Sequence, residues 1–176
     1  MTSNYKPSLI SADINDYPII QNMARFYVYD MSRYCGNIEG WECPDDGLYE
    51  CFDLKIYFGT PGRYAFLVKI DNELAGFVLI NKIGSNAEVD WNIGEFFILA
   101  KFQDKGVAKQ IAFQIFDKFR GIWETSAMPD NIKAINFWRK TVAEYTKDNF
   151  IEGQKTIGPT KFHPEAYSMI VFRFEN

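Results

Sequence analysis

The chain has 176 residues, of which 47% are hydrophobic, 17% aromatic and 24% charged, and its net charge is −4. This composition is typical of a globular protein with a sizeable core, and it excludes disordered and fibrous classes. No apolar run approaches the ~20 residues of a membrane-spanning helix, and Met1 to Ile10 lacks the basic and apolar segments of a secretory signal. We therefore expect one cytoplasmic domain over residues 1–176, without a membrane partner.

Acidic residues are concentrated in the first third of the chain. Residues 1–54 contain nine acidic and three basic side chains, so the net charge is −6 in this segment and +2 in the remainder. Such a segment repels phosphates, so nucleic acid is not an expected partner. The segment favours a cationic ligand, although an ordinary solvated acidic face explains the same composition.

Cysteine and histidine are poorly supplied for a metal site. Cys35, Cys43 and Cys51 are odd in number and form no CxxC pair, and His163 is the only histidine. A zinc site needs about four ligands, usually Cys and His, so no metal is expected. The cysteines are interpreted as small, buried or half-buried apolar residues.

The first predicted element is a helix that ends at Gly36. It starts at Asp16-Tyr17-Pro18, which combines a typical capping residue with proline in the first turn. The apolar residues that follow recur at helical spacing. Residues 37–56 are predicted to be irregular or to form a short second helix.

Three strands are predicted next. Arg63 to Ile70 and Leu74 to Ile83 are joined by a hairpin turn at Asp71-Asn72-Glu73. A third strand runs to about Leu99, with Gly94 as the position of a bulge. The end of this strand is apolar on both faces, which is typical of a buried central strand.

The second half of the chain contains the clearest amphipathic helix, which starts at Gly106. Its apolar residues fall at the spacing of one helix face, and they are Ala108, Ile111, Ala112, Ile115, Phe116 and Phe119. A strand over Ile122 to Ala127 and a helix opened by Pro129-Asp130-Asn131 follow. The last two strands are predicted near Tyr145 to Ile151 and Tyr167 to Phe174. This order predicts an α/β (α+β) fold with a mixed sheet and helices on both faces.

The turn before the amphipathic helix has the features of a phosphate-binding site. Its residues are Gln103-Asp104-Lys105-Gly106-Val107-Ala108. The first N–H groups of a helix lack internal partners and carry the positive end of the macrodipole, so they can bind a pyrophosphate. The glycine and alanine of the turn allow phosphates to approach the backbone, and Lys101, Lys105 and Lys109 add positive charge. No GxxxxGK[ST] sequence is present, which excludes a P-loop, and no GxGxxG follows a strand.

Two spaced motifs give the chain a resemblance to a known family. Gln103-x-x-Gly106-x-Ala108 matches the Q/R-x-x-G-x-G/A motif of GNAT superfamily N-acetyltransferases. Asn131-x-x-Ala134-x-x-Phe137-Trp138 looks like the N-x-x-A-x-x-hydrophobic-Y motif of the same superfamily. The order of elements extends the resemblance from about Arg63 to Val142. It implies a GNAT-like, mostly antiparallel mixed sheet and an enzyme that transfers an acetyl group from acetyl-CoA to a primary amine.

The resemblance also implies which residues hold acetyl-CoA. The strand end at Phe96, Phe97 and Ile98 would offer backbone groups to the pantetheine arm and the thioester carbonyl. The pyrophosphate would be held mainly by backbone N–H groups of the turn and the helix start, which comprise Gln103, Asp104, Lys105, Gly106, Val107, Ala108 and Lys109.

The second motif completes this implied site. Asn131 would contact the pantetheine or sulfur region, and Ala134 and Phe137 would flank the cofactor. A role as ordinary helix core residues is compatible with Ala134, Phe137 and Trp138 as well.

Glu95 is the predicted general base, acting directly or through water. It lies in an apolar strand beside the implied thioester site, where burial raises the pKa of a carboxyl group. Strand alternation places it opposite to Phe96 unless Gly94 marks a bulge. A surface carboxylate at a strand end explains Glu95 equally well, and Glu88 and Asp90 are alternative bases.

The general acid is where the sequence departs from the resemblance. Trp138 occupies the usual tyrosine position, and an indole N–H does not transfer its proton near neutral pH. Tyr145 or Tyr167 are alternatives. An acid is also dispensable, because a thiol with a pKa of about 8.5 gives a tolerable leaving group.

The acceptor is expected to be a cationic amine of a small molecule or peptide, bound by a monomer or homodimer. In proteins that this one resembles, N-terminal helices and the last strands often hold the acceptor, which places the acidic stretch Asp13 to Asp53 nearby. A catalytically silent CoA-binding or sensory module, and an interaction protein without a cofactor, remain alternatives. A covalent acetyl-cysteine route is disfavoured, because no cysteine is near the implied thioester site in sequence.

Overall fold

The structure, a computed structural model, describes residues 5–36, 38–159 and 165–176. Within these ranges the strands are β1 (Ser8–Ser11), β2 (Tyr64–Ile70), β3 (Glu73–Asn81), β4 (Trp91–Ile98), β5 (Ile122–Ala127), β6 (Ile151–Ile157) and β7 (Tyr167–Glu175). The α-helices of the same ranges are α1 (Tyr17–Cys35), α2 (Val107–Lys118) and α3 (Ile132–Thr146).

These strands form one sheet with the order β1-β2-β3-β4-β5-β7-β6. Neighbouring strands are antiparallel except β4 and β5, which run parallel. The predicted α/β (α+β) fold with a mixed, mostly antiparallel sheet is therefore confirmed.

The two faces of the sheet are covered by different helices, as predicted. α2 and α3 pack on one face, where Ile111, Ile115 and Phe116 of the predicted amphipathic stripe are fully buried with Trp123 of β5. α1 packs on the other face, where Ile20 is fully buried against side chains of β2 and β3. Each buried side chain of this size stabilises the fold by about 1.5–3 kcal/mol, so both faces hold their helices firmly.

The predicted first helix is confirmed in its limits, but its cap differs. α1 has Pro18 in its first turn and ends before Gly36. Asp16 precedes α1 without capping it, because its carboxylate accepts the Asp13 N–H at 3.1 Å and closes a short 3-10 turn instead. Asp16 therefore lies at the predicted start of the helix, but its carboxylate bonds to Asp13 instead of capping α1.

The hairpin between β2 and β3 turns at Asp71 and Asn72. Both residues have positive φ, 49° and 70°, which Asp and Asn tolerate better than most residues. After α1 the described chain is irregular as far as Asp53, and a 3-10 turn follows at Leu54–Tyr57. This agrees with the prediction for residues 37–56.

One strand was predicted in the wrong place, and one strand was not predicted. The segment from Tyr145 to Ile151 is not a strand, because α3 continues to Thr146 and ends at Lys147, whose φ is 55°. Tyr145 fits the apolar pattern of a strand because its ring is packed between helices. It contacts Phe116 of α2 from α3, with ring centroids 5.0 Å apart. β1 was not predicted, because its four residues are mostly exposed and lack an apolar run.

β4 and β5 separate soon after they meet. They pair only at Trp91 with Trp123 and at Asn92 with Glu124. Beyond these pairs β4 bonds to β3 alone, and β5 bonds to β7 alone, within the described residues. The edge of β4 that leads to Ile98 therefore presents backbone groups to a cleft rather than to a neighbouring strand.

β4 also contains the predicted bulge. Leu79 of β3 lies opposite Glu95, whereas Ile80 lies opposite Ile93, so Gly94 is the extra residue. A Cβ at Gly94 would stand 2.6 Å from the Tyr57 hydroxyl, which explains why glycine occupies this position.

In the part of the chain that the structure describes, no helix has both the length and the apolar character needed to cross a membrane.

Candidate active site

The predicted phosphate turn forms an open helix N-terminus. Asp104 and Gly106 both have positive φ, 58° and 76°, and they turn the chain from a short 3-10 segment after β4 into α2. Gln110 is the first residue of the helix whose N–H bonds back, to the Gly106 carbonyl at 3.3 Å. The amides of Val107, Ala108 and Lys109 have no partner inside the helix and lie at its positive end. This geometry fits a diphosphate group.

Gln103 ties this turn to β4. Its side-chain Nε2 donates to the Ile98 carbonyl at 2.8 Å, and the neighbouring Phe102 is buried in the core with 1% exposure. Gln103 therefore orients the turn through its side chain, which leaves the backbone amides that follow it for a ligand.

Each lysine that was predicted to meet phosphate has an intramolecular partner. Lys101 pairs with Glu73 at 2.6 Å, Lys109 pairs with Glu144 at 2.8 Å, and Lys105 donates to the Lys101 carbonyl at 2.7 Å. Such exposed pairs contribute about 0–1 kcal/mol, so a ligand can replace them at little cost.

Lys133 is a cation at this site that the sequence analysis missed. It lies in the first turn of α3, and its Nζ bonds to Asp104 Oδ2 at 2.9 Å. The available signal was its position two residues after Asn131, which places it at a helix start facing the same cleft.

The residues of the second motif lie beside β4. Asn131 caps α3, since its Oδ1 accepts the Ala134 N–H at 3.0 Å. Phe96 packs against Phe137 and Trp138, with ring centroids 5.9 Å and 5.1 Å away. Trp138 is 4% exposed, so its core interpretation holds.

A cavity of about 990 Å³ lies on the opposite, α1-covered face of the sheet. Its walls come from α1, the irregular chain around residues 40–52, the middle of β4 and the adjoining ends of β5, β6 and β7. The part of β4 that separates from β5 thus borders this cavity.

The bulge at Gly94 places two polar side chains on the cavity wall. In an unbroken strand, residues three apart point to opposite faces. The extra residue reverses this parity, so Asn92 and Glu95 both line the cavity, while Phe96 packs on the α3 side. Glu95 does face opposite to Phe96, and that face is the one with the cavity.

Glu95 is half-buried and titrates near neutrality. Burial raises its pKa from 4.5 to about 7, and a hydrogen bond from the Tyr27 hydroxyl opposes that rise. The pKa of Tyr27 is raised well above its ordinary value by burial and by the Glu95 charge. Burial also raises the pKa of Tyr167, another cavity residue that senses the Glu95 charge.

The two alternative bases lie elsewhere. Glu88 is on the loop before β4, with 74% of its side chain exposed and Arg173 at 3.9 Å. Asp90 is at the far end of β4, where its Oδ2 accepts the Ile122 N–H at 2.9 Å. Neither residue belongs to the described cavity wall.

A hydrogen-bond chain fixes the orientation of Asn92. The Ile83 N–H donates to Asn81 Oδ1 at 2.8 Å, which fixes the orientation of the Asn81 amide with its oxygen toward Asn92. Asn92 Nδ2 donates to the same oxygen at 3.2 Å, which leaves Asn92 Oδ1 buried without a partner among the described residues. Asn81 Nδ2 completes the chain by donating to the Tyr57 hydroxyl at 3.0 Å.

The positions of the candidate tyrosines and cysteines in space do not follow from their distance to β4 in the sequence. Tyr145 lies on the α2 and α3 side, where its hydroxyl donates to Asp117 at 2.8 Å, far from the cavity wall. Cys35 and Cys51 do line the cavity, although they are remote from β4 in sequence. Burial is the main cause that raises the pKa of these two thiols, to about 11 and about 12 respectively, so the reactive thiolate is scarce at neutral pH.

The mouth of the cavity is acidic. The irregular segment after α1 contributes four exposed carboxylates to its lining, those of Glu42, Asp45, Asp46 and Glu50. The described residues hold no cluster of three or more His, Cys, Asp or Glu side chains that could bind a metal, and His163 lies outside the described residues.

The Acetyltransferase (GNAT) family model matches residues 25–142, and the chain belongs to this family. It is an acyl-CoA-dependent N-acetyltransferase, in a family that uses acetyl-CoA. No curated protein matches the chain.

Solved structures show the same fold at low identity. An acetyltransferase from Thermus thermophilus is 17% identical, with 99% of both chains covered and a TM-score of 0.61. A chimera of the Vibrio cholerae spermidine N-acetyltransferase SpeG and hSSAT is 14% identical, with 96% of this chain and 95% of that chain covered and a TM-score of 0.60. A Bacillus anthracis protein named as a streptothricin acetyltransferase, solved in complex with acetyl coenzyme A, is 12% identical, with 97% and 99% covered and a TM-score of 0.58.

Proposed function

We propose that the protein transfers the acetyl group of acetyl-CoA to a primary amine of a small molecule or peptide, by direct attack in a ternary complex. The observation that carries this proposal is Glu95, a carboxyl group with a pKa of about 7 on the wall of a large cavity, next to the strand edge that opens toward α2.

Acetyl-CoA supplies an activated thioester carbonyl. The amides of Val107, Ala108 and Lys109 are suited to its diphosphate, and Lys133 brings a charge that can turn toward phosphate from Asp104. The unpaired edge of β4 near Phe96 and Ile98 offers N–H groups for the pantetheine arm and for the oxyanion that develops on the carbonyl.

Two residues on the cavity wall are suited to handle the amine. Glu95 accepts one amine proton, which must leave for the nitrogen to attack. Asn92 Oδ1 accepts a hydrogen bond from one of the two remaining N–H groups, because it is an acceptor without a partner among the described residues. The N–C bond then forms as the C–S bond breaks, and the thiolate leaves without needing a strong acid. The leaving thiolate takes the second proton, which the nitrogen must lose to become an amide.

The acidic mouth of the cavity supports a cationic acceptor. Four carboxylates at the entrance attract an ammonium group and raise its local concentration. Two structural neighbours are named for amine acceptors of very different size, spermidine and the alanine of a ribosomal protein, so the fold itself does not decide between a small molecule and a peptide.

Calorimetry with acetyl-CoA and a release assay for free thiol test this function together. Gly106→Trp should weaken acetyl-CoA binding by at least about 100-fold, which corresponds to two charge-assisted hydrogen bonds. Gly47→Trp is the matched control, because Gly47 has nearly the same φ, 75° against 76°, and lies in the irregular segment after α1.

Unchanged affinity in Gly106→Trp would show that the phosphate site is elsewhere. Tight binding without thiol release across a panel of amines would favour the silent CoA-binding module, and absence of binding heat would favour the interaction protein. Preference for neutral or acidic amines over cationic ones would contradict the acceptor class.

A further inference from the structure

A buried ion cluster lies where β5, β6 and β7 meet, and it reaches the cavity wall at Lys155. Glu124 of β5 has a fully buried side chain. Its carboxylate accepts the Ser85 N–H at 2.7 Å and a second bond from the Ser85 hydroxyl. Arg173 of β7 donates from Nε and Nη2 to Oε1 at 3.2 and 3.0 Å. Ser85 and Arg173 therefore already satisfy this carboxylate.

Lys155 of β6 reaches the same cluster without bonding to it closely. Its Nζ is 3.8 Å from Glu124 Oε2, which is within ion-pair range and beyond hydrogen-bond distance. Only 16% of its side chain is exposed, and the residue lines the cavity. No acceptor within hydrogen-bond distance of this ammonium occurs in the described ranges, so its three donors are available to a ligand.

The charges of the cluster do not balance. The buried Glu124 contributes one negative charge, while Lys155 and the partly exposed Arg173 contribute two positive charges. Glu88 lies 3.9 Å from Arg173, but 74% of its side chain is exposed, so solvent screens it. An uncompensated buried charge is costly unless an anion offsets it, and burial accordingly lowers the pKa of Lys155 despite the nearby Glu124.

The negative and positive groups of the cavity wall therefore lie in different places. Carboxylates lie at its mouth and at Glu95, whereas Lys155 is the single lysine or arginine among its described lining residues. One ammonium group matches one singly charged carboxylate. A phosphate would need more donors, and the acidic mouth would repel its second charge.

We infer that Lys155 binds a carboxylate group of the acceptor, so that the substrate class is a cationic amine that also carries a carboxylate, as lysine and ornithine do. This inference rests on the proposed function and narrows its acceptor. The acceptor amine then approaches Glu95 while its carboxylate is held at the β6 side of the cavity.

Matched pairs of acceptors isolate the carboxylate. Lysine and cadaverine, and ornithine and putrescine, differ only by that group, and both members of each pair are cationic. In wild-type protein, kcat/KM should be about 10- to 100-fold higher for the amino acid of a preferred pair, the range expected of a charge-assisted hydrogen bond. Lys155→Met should remove this difference by lowering kcat/KM for the amino acid to the level of the decarboxylated amine, and Lys155→Arg should retain it.

Lys140→Met is the control variant, because Lys140 is exposed on α3 and outside the cavity wall. Calorimetry of the same pairs on the CoA-bound protein gives a second readout that does not depend on turnover. Equal binding of both members by wild-type protein, or a preference that survives Lys155→Met, overturns the inference. Selective carboxylate binding without turnover of any amine would instead support the subsite and contradict the proposed function.

Discussion

The two faces of the sheet are built for different tasks. On the α2 and α3 face, side chains interlock into a continuous core, and the groups proposed to bind acetyl-CoA are backbone amides at the start of α2. On the α1 face the core is smaller and leaves a cavity of about 990 Å³, where the groups proposed to bind the acceptor are side chains. Backbone amides suit an acetyl donor that a whole family shares. Side chains can differ between proteins that acetylate different acceptors, without a change in the fold.

β4 connects the two faces, and its bulge decides what each face receives. Phe96 and Ile98 point toward α3 and the core, while Asn92 and Glu95 point into the cavity. Without the extra residue at Gly94, one of the two polar side chains would be turned into apolar core. Variants on the cavity face should therefore alter the acceptor reaction and leave acetyl-CoA binding intact.

The largest expected effect is that of Glu95→Gln on activity. Loss of a general base typically lowers kcat by about 10²- to 10⁴-fold, and the affinity for acetyl-CoA should not change, since Glu95 lies on the other face. In wild-type protein, kcat/KM should rise with pH through about pH 7, because the carboxyl group must be ionised to accept a proton.

Glu88→Gln and Asp90→Asn serve as controls for this variant, since both carboxylates lie outside the described cavity wall. Steady-state kinetics should place them near wild type. A larger loss in either control than in Glu95→Gln would assign the base to the loop end of β4 instead.

Glu95→Gln should have a smaller effect on the free energy of unfolding, and this effect should be stabilising. The folded protein binds the Glu95 proton more tightly than the unfolded chain does, since its pKa is about 7 instead of 4.5. This contribution to the free energy of unfolding is complete below about pH 4.5 and is lost as the pH rises to about 7. At pH 8, Glu95→Gln should therefore be more stable by up to about 3 kcal/mol.

Denaturant unfolding of both proteins between pH 4.5 and pH 8 measures this difference. The gap should close toward the acidic end of the range. A gap that stays constant with pH would mean that Glu95 ionises freely and is not the buried group described above.

The smallest effect concerns Asn92. Asn92→Leu should lower kcat/KM for the acceptor by about 10-fold, the value of one hydrogen bond of ~1–1.5 kcal/mol, with acetyl-CoA binding unchanged. Thr125→Val is a matched control, because Thr125 Oγ1 is the second buried side-chain atom without a partner among the described residues, and Thr125 is not part of the described cavity wall. Equal losses in the two variants would point to a packing effect rather than to a contact with the amine.

The elements with strong periodicity were predictable from the sequence. The stripe from Ala108 to Phe116 and the turn at Gly106 are local patterns, and local patterns survive folding because they depend on helix geometry and on φ alone. The segment from Tyr145 was misread because Tyr145 belongs to the end of a helix, and only its packing against Phe116 distinguishes that from a strand.

The cavity was much less accessible to prediction. Lys155 and Cys51 are remote from β4 in sequence, and only the arrangement of the strands and of the segment after α1 brings them to one wall. The same holds for Glu124, whose burial depends on Ser85 and Arg173 from two other segments.

The sequence by itself determined the family, the order of most elements, the turn that starts α2 and the bulge position in β4, because each of these depends on residues adjacent in the chain. Only the tertiary structure decided which carboxylate borders the cavity, which lysines already have partners, and where a buried amide oxygen and a buried ammonium group lack a hydrogen-bond partner among the described residues. Those properties depend on desolvation and on charges from distant segments, which no local spacing records.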